Sequence, residues 1–410
     1  MVQKSINTLY MKHKIFLFAI LLMAVAIPQS VKAYDFSAVA PSGQTLYYNI
    51  SGSIVLVTSQ HSEPSYGEHN LHYYSEAPTG DLTIPESVIY DGTTYPVASV
   101  GEGAFHACMG LTSVTIPNSV TSIGYGAFTA CMGLTSMTIP NSVTLIGEMA
   151  FADCSGLTSV TIPNSVTSID NMAFGNCSSL TSVAIPNSVT SIGYGTFFYC
   201  GGLTSIEVSS GNTVYDSRDN CNAIIESASN TLICGCKNTT IPNSVTSIGE
   251  SAFNGHSGLT SVTIPNSVTS IGYRAFYECN GLTEIICWRS IAPSLGEETF
   301  SGVTSTIPVY IPCGSIALYQ SEWTYFSNFI EDCSDGINDV NDESIQICSH
   351  DGCIVVEGAE DNTVWLYDAV GRLLATRQDD YLALRFDVPT TGTYLIKIGN
   401  HPARKVVVEK

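Results

Sequence analysis

The sequence predicts a solenoid of 23-residue coils with a parallel β-sheet face and short helical or 3₁₀ turns, followed by a small antiparallel β-sandwich. Three observations predict it. Phe105, Phe128, Phe151, Phe174 and Phe197 recur every 23 residues, Phe253 and Phe276 resume that spacing after an insertion, and Phe300 follows at 24. A fixed period in the twenties is the mark of stacked coils. Within one period, apolar residues fall at Leu111, Val114 and Ile116 and again at Val120 and Ile123, the alternation of short half-buried strands. Residues 345–410 break into strand-forming runs separated by turns.

One coil explains the rest. Leu111, Val114 and Ile116 point inward from a strand. Ile-Pro-Asn-Ser then turns the chain, because proline fixes φ and removes a donor. Val120 and Ile123 face inward again, and Gly-x-x-Ala-Phe-x-x-Cys crosses the far side as a short turn. A single coil cannot bury its apolar edge, whereas stacked coils can, each touching only its neighbours. Eight coils at the strand spacing of about 4.8 Å form a stack on the order of 35–40 Å long.

The pattern Ile-Pro-x-Ser-Val-x-x-Ile-Gly-x-x-Ala-Phe-x-x-Cys-x-x-Leu, repeated in register over roughly residues 80–332, resembles the BspA-like leucine-rich repeat family of bacterial surface proteins. The resemblance implies a leucine-rich-repeat solenoid in a secreted or surface-exposed binding protein, often an adhesin. It names no ligand.

Taken in order, residues 1–33 read as a secretory signal. Lys12, His13 and Lys14 form a basic start, residues 15–28 an apolar run too short for a good membrane span, and Val31-Lys32-Ala33 a small-residue cleavage site. Cleavage between Ala33 and Tyr34 leaves no transmembrane span. Met11 serves as an alternative initiator to Met1. Residues 34–80 do not repeat, and 47–57 suggest a hairpin, so this segment reads as a β cap over the open end of the stack. His61, His69 and His72 lie here with Glu63 and Glu68, at spacings that match no strong ligand motif, and read as surface histidines rather than a metal site.

Residues 81–332 are the solenoid, interrupted at 209–240. Within the interruption, 222–234 reads as two strands around a turn at Ala228-Ser229. That register places Ile225 opposite Leu232, Ala223 opposite Cys234 and Cys221 opposite Cys236, so a Cys221–Cys236 disulfide is expected. Residues 285–332 carry Trp288, Tyr319, Trp323, Phe326 and Ile330, a C-terminal cap over the last coil. Residues 333–344 are a polar, acidic linker without the steps of a calcium loop. In 345–410, Tyr-Asp-x-x-Gly-Arg at Tyr367, Thr-Gly-Thr-Tyr ending at Tyr394 and the closing Lys405-Val-Val-Val resemble type IX secretion sorting domains. That resemblance implies a handover to secretion machinery, against a bland reading as a passive β-module.

Composition excludes some functions. The 410 residues carry a formal charge of −21, and residues 1–33 hold four lysines and no acid, which leaves 11 basic and 36 acidic residues beyond them. No Lys or Arg occurs between Lys32 and Arg218, which argues against nucleic acid and anionic membranes as partners. It also leaves trypsin no site there. Six of the 14 cysteines hold one repeat position: Cys108, Cys131, Cys154, Cys177, Cys200 and Cys279, with His256 in that place in one coil. One small residue per coil reads as core filling rather than chemistry. Cys234, Cys287, Cys313, Cys333, Cys348 and Cys353 join Cys221 and Cys236 as pairing candidates.

The candidate binding face is the row of strand hydroxyls: Thr112, Ser113, Thr115, Thr135, Ser136, Thr138, Thr158, Ser159, Thr161, Thr181, Ser182, Thr260, Ser261 and Thr263. Such a face suits an extracellular protein or glycan, and it also suits any solvated sheet. Tyr125, Tyr194, Tyr199 and Tyr273 offer a rival surface. Nucleophile elbow, metal motif and phosphate loop are missing, and the acid pairs Glu297-Glu298 and Asp379-Asp380 lie in no catalytic frame. The reading is therefore a non-enzymatic, cofactor-free binding protein. Its alternative is a passive structural or antigenic surface layer.

Overall fold

The computed structural model describes residues 31–63, 71–332, 346–350, 353–357, 363–369, 371–378, 383–388, 391–398 and 404–408. The linker, His69 and residues 1–30 lie outside these.

Each coil has three sides. On the first, short strands such as Ser136–Thr138 and Ser159–Thr161 run parallel and in register, Met137 beside Val160. On the second, two-residue strands such as Leu145–Ile146 and Ser168–Ile169 do the same, Ile146 beside Ile169. The Pro-Asn-Ser-Val turn between them is closed by the Val143 N–H on the Pro140 carbonyl at 3.1 Å.

The third side is a run of turns rather than a continuous 3₁₀ helix. Within one coil Ala150, Ala152 and Cys154 donate three residues back, to Gly147, Met149 and Phe151. The alternate amides leave the coil: Met149, Phe151 and Asp153 donate to Asn171, Ala173 and Gly175 of the next coil at 2.8–2.9 Å. Positive φ at Met149 and Asp153 (55° and 60°) aims these groups along the stack, which satisfies backbone that a helix would have bonded internally.

Leucine, valine, isoleucine and phenylalanine from all three sides meet in the core. Leu157, Val166, Ile169 and Phe174 are fully buried, as are Leu134, Val143, Ile146 and Phe151 of the preceding coil. The phenylalanine rings stack at 5.1–5.7 Å from Phe105 to Phe197. Close stacking also explains the glycine before most of the repeat leucines, Ser179 before Leu180 being the exception. A Cβ on Gly156 would stand 2.4 Å from the Met132 carbonyl oxygen.

Both ends are covered. Strands Phe36–Val39, Thr45–Ser51 and Ile54–Thr58 form an antiparallel meander whose last strand pairs in parallel with Thr93–Val100, the first long strand of the second side. Tyr74 lies over Phe105 with ring centroids 6.4 Å apart and donates to the Ala104 carbonyl at 2.6 Å. At the other end Trp323 and Phe326 pack on Phe300 at 5.4 and 4.9 Å. The helix Ile316–Glu322 carries buried Tyr319, whose hydroxyl donates to the Arg289 carbonyl. Ile330, expected in this cover, is 38% exposed. Strands Gly80–Thr83, Val309–Pro312 and Phe329–Asp332 extend the first side beyond the phenylalanine coils, for ten strands in all among the described residues.

The interruption divides the stack. The first side is a six-stranded sheet ending at Ser205–Val208 and a four-stranded one beginning at Ser261–Ile264. On the second side Ser191–Ile192 closes one sheet, and strands Tyr215–Asp216, Ile224–Glu226 and Thr231–Cys234 open another. The hairpin forms with Ile225 opposite Leu232, but a bulge then places Ile224, not Ala223, opposite Cys234. One extra residue sends side chains to the opposite face. Cys221 thus falls with Ala223 and Ile225 in the second core, whereas Cys236 falls with Ile224 in the first. The expected Cys221–Cys236 disulfide is therefore corrected: both thiols are free and buried. Cys234 and Cys287 are also free, and Cys313 is disulfide-bonded.

The C-terminal residues form antiparallel sheets of three and four strands, with Ile354, Phe386, Leu366, Ile396 and Val406 among the buried side chains between them.

Candidate functional site

The hydroxyl face divides into two kinds of residue. The first threonine of each strand is spent on the stack. Thr135 donates to the Thr112 carbonyl, Thr158 to Thr135 and Thr181 to Thr158, each at 3.2 Å. Thr112 and Ser113 donate to Asp81 at 3.0 and 2.6 Å, and these bonds hold its carboxyl below the usual range, Ser113 foremost. The following positions are outward and exposed: Ser136 and Thr138, Ser159 and Thr161, Ser182, Ser261 and Thr263. Ser136, Ser159 and Ser182 stand side by side in the ladder, as do Thr138 and Thr161. Thr115 extends the second row; Thr260, Ser261 and Thr263 sit on the separate four-stranded sheet.

The tyrosines do not form one surface. Tyr125 reaches Met149, and burial pushes its hydroxyl up to about 12. Tyr273 and Tyr277 flank the Arg274 guanidinium at 5.0 and 4.6 Å, and Arg274 pairs with Glu298. Burial and the hydrogen bond that its hydroxyl donates to the Glu278 carboxylate raise Tyr199.

The ladder cysteines are structural. Cys131, Cys154, Cys177 and Cys200 donate to the carbonyls of Phe105, Phe128, Phe151 and Phe174 in the preceding coil at 3.1–3.2 Å. Burial pushes Cys108 and Cys200 up to about 12, so the reactive thiolate is suppressed.

Where the stack divides, a cavity of about 290 Å³ opens between the coils of Phe197 and Phe253. A regular junction would use the Phe197 amide on the Ala252 carbonyl, but Gly235 donates to that carbonyl at 2.9 Å. Gly235 lies so close to Phe253 that a Cβ would stand 2.0 Å from the ring. The Ile192 carbonyl does not receive the Gly249 amide as its counterparts do in other coils, because that amide goes to the Leu232 carbonyl; the Ile192 amide donates to the Tyr215 hydroxyl at 3.2 Å. Tyr194, hydrogen-bonded to Ser251 at 2.9 Å, lines the cavity with Phe198, Glu226 and Glu250. Burial raises the Glu250 carboxyl, and Arg274 partly offsets it. His256, 2% exposed, also lines it. Its ring takes the cysteine's part by bonding to the Phe197 carbonyl, while Nδ1 has no partner. Burial brings this imidazole down to about 4.

The sequence signals this site only through His256, the odd residue in the cysteine ladder, and through the length of the interruption. Nothing in the repeat pattern places Glu226, Tyr215 or Tyr194 together.

Other expectations fall elsewhere. His61 stacks on Tyr73 at 5.0 Å and shares a hydrogen bond with Ser75. Glu68 and His69 lie outside the described residues, as do the side chains of Glu63 and His72. Among the described residues no three His, Cys, Asp or Glu side chains gather as a metal site. Ala33 and Tyr34 run into the N-terminal cover, where Tyr34 packs on Tyr47 at 4.5 Å. Among the described residues no helix is long and apolar enough to cross a membrane. In the Tyr-Asp-x-x-Gly-Arg motif, Asp368 accepts the Arg372 amide and Nε at 2.8 and 3.0 Å, closing a hairpin turn.

The sequence matches the BspA-type leucine-rich repeat region, in six copies, over residues 98–224 and 223–333. No curated protein sequence matches it. Solved structures similar to it include a leucine-rich cell-surface protein of Faecalibacterium prausnitzii (23% identity, TM-score 0.42, covering 74% of this chain and 96% of that one). A leucine-rich repeat protein of T. pallidum is 21% identical (TM-score 0.37, covering 70% and 95%). The pneumococcal vaccine antigen PcpA is 16% identical (TM-score 0.41, covering 73% and 99%). The weight falls on the repeat match.

Proposed function

The chain belongs to the BspA-type leucine-rich repeat family, and from that premise we propose that it is a secreted or cell-surface protein that binds host proteins or glycans without catalysis. The observation that carries this reading is the double row Ser136–Ser159–Ser182 and Thr138–Thr161. These hydroxyls are exposed on a parallel sheet, between Asp81 on one edge strand and Glu207 on the other, and are not needed by the stack. Neighbouring hydroxyls stand about 4.8 Å apart along the sheet, so a polar polymer lying across the strands meets repeated donors and acceptors. The leader-like residues 1–33 fit export, and the C-terminal module, with its closed Asp-Gly-Arg turn, is read as the part presented to secretion machinery.

The test is a screen of the purified chain against host matrix proteins and a glycan array. Saturable binding is expected, and it should fall by about tenfold or more when Ser136, Thr138, Ser159 and Thr161 are all changed to Lys, a loss matching a few interfacial hydrogen bonds. A folded chain that binds nothing supports a passive surface layer instead.

A further inference from the structure

The cavity between the coils of Phe197 and Phe253 is lined by two carboxylates, Glu226 and Glu250, and both are already engaged. Glu226 accepts the Ser229 hydroxyl at 2.5 Å, and Arg274 acts on Glu250. A cation therefore meets no unmatched charge here, and an anion would meet two carboxylates. The groups that decide the occupant are neutral.

The unmatched group is His256. Its ring is 2% exposed and lines the cavity. One nitrogen serves the Phe197 carbonyl, and Nδ1 has no partner. Burial keeps this imidazole uncharged at neutral pH, so Nδ1 carries a lone pair and can only accept. A buried acceptor without a donor is destabilising, and a bound hydroxyl would relieve it.

The walls are aromatic. Tyr194, Phe197, Phe198 and Tyr215 line the space, and Tyr194 meets Phe198 edge to face at 4.8 Å, so the two rings form a corner. Glu250 is exposed and Tyr194 and Glu226 are half-buried, whereas His256, Phe197 and Phe198 are buried, so the cavity runs from solvent to the unpartnered nitrogen. Its volume, about 290 Å³, lies at the small end for ligand pockets and suits a single ring. A plain hydrocarbon would cover the aromatic walls and leave Nδ1 unpaired. A ring with C–H faces and a hydroxylated edge does both: its C–H groups lie against the negative faces of the aromatic rings, and its hydroxyls donate. A carboxylate has about four acceptor sites, so Glu226 can take a further hydroxyl while it holds Ser229.

We infer that this cavity binds one neutral pyranose ring, with a hydroxyl donating to His256 Nδ1 and a C–H face against the corner of Tyr194 and Phe198. The site is separate from the strand hydroxyls of the first side and does not depend on what they bind.

Calorimetry on the full chain tests this with glucose, galactose, mannose and N-acetylglucosamine, each free and as its methyl glycoside. Putrescine and gluconate serve as charged controls. The expected result is one-site, saturable binding of at least one neutral sugar and none of either control. Binding retained in the methyl glycoside identifies the end of a glycan as the source, binding lost there identifies a free sugar, and both support the site. H256C supplies the residue that six other coils carry and should weaken binding about threefold to tenfold, the worth of one hydrogen bond. F198L keeps apolar bulk without the ring and should weaken it by about as much. The lysine variant of the sheet face should leave it unchanged. Sugar binding lost in that variant but kept in H256C and F198L assigns the sugar to the sheet and overturns the proposal. Binding of the charged controls alone also overturns it, as does the absence of sugar binding by a chain shown to be folded by its thermal transition.

Discussion

The junction between the coils of Phe151 and Phe174 and the junction between those of Phe197 and Phe253 use the same parts to different ends. In the first, the rings stack at 5.3 Å, the Phe151 amide reaches Ala173 at 2.8 Å, and the Cys177 thiol reaches the Phe151 carbonyl. In the second, a glycine backbone from the interruption has entered, the amide rung is diverted, a histidine stands for the cysteine and the apolar core falls into two clusters. The coils on either side are undisturbed: Phe174 still stacks on Phe197, and Phe253 on Phe276 at 4.9 Å. Interactions that reach only nearest neighbours confine the damage to one interface, and a cavity of about 290 Å³ is left there.

The largest effect that would break this comparison lies at the regular junction. Phe151→Ala removes a fully buried ring stacked on both sides and is expected to lower stability by about 3–5 kcal/mol. An unchanged denaturation midpoint would contradict the nearest-neighbour account. Next is the pH dependence of the divided junction. The folded chain holds His256 near 4, below its ordinary 6.5, so the unfolded chain binds more protons between those values. The stability this group contributes is complete above about pH 6.5 and declines as pH falls, by about 3 kcal/mol by pH 4. Urea melts of the wild type and H256C across pH 4–7 check this: the wild type should lose stability faster, and parallel curves would refute it. The smallest effect is at Gly235. Gly235→Ala drives a methyl into the Phe253 ring and should destabilise by about 1–3 kcal/mol, read as a shift of the thermal midpoint. A neutral result would mean that Gly235 does not hold the close approach to the Phe253 ring that leaves no room for a side chain.

Much of the fold was written in the residues that recur. The period placed Phe151, Leu157, Val166, Ile169 and Cys154 inside, and all are fully buried. It could not show how the turn side satisfies its backbone, because the amide rungs from Met149 and Asp153 depend on positive φ at residues of no fixed type. Tyr74, which covers the first phenylalanine, stands outside the period and carries no local sign of its role. The hairpin was legible to within one residue. That residue, Ile233, is the extra one in the bulge, and it undid the disulfide expected beyond it. The hydroxyl face was legible as a list of positions, but not the division of labour by which Thr135 and Thr158 serve the stack while Ser136 and Ser159 remain available. The cavity was hidden because it arises from a missing partner, and a pattern-based reading registers only what is present.

The in-register coils also have a genealogical side. Any two cuts separated by one whole period leave ends that match, since Ser136, Ser159 and Ser182 occupy equivalent rungs with equivalent neighbours. Recombination between misaligned copies can thus add or delete a whole coil, changing the molecule's reach by about 4.8 Å a step, without any new interface having to evolve. The divided junction enjoys no such freedom: Gly235, His256 and Tyr215 fit one setting only. Lineages of this protein should therefore vary in length on either side of that junction and keep the junction itself fixed.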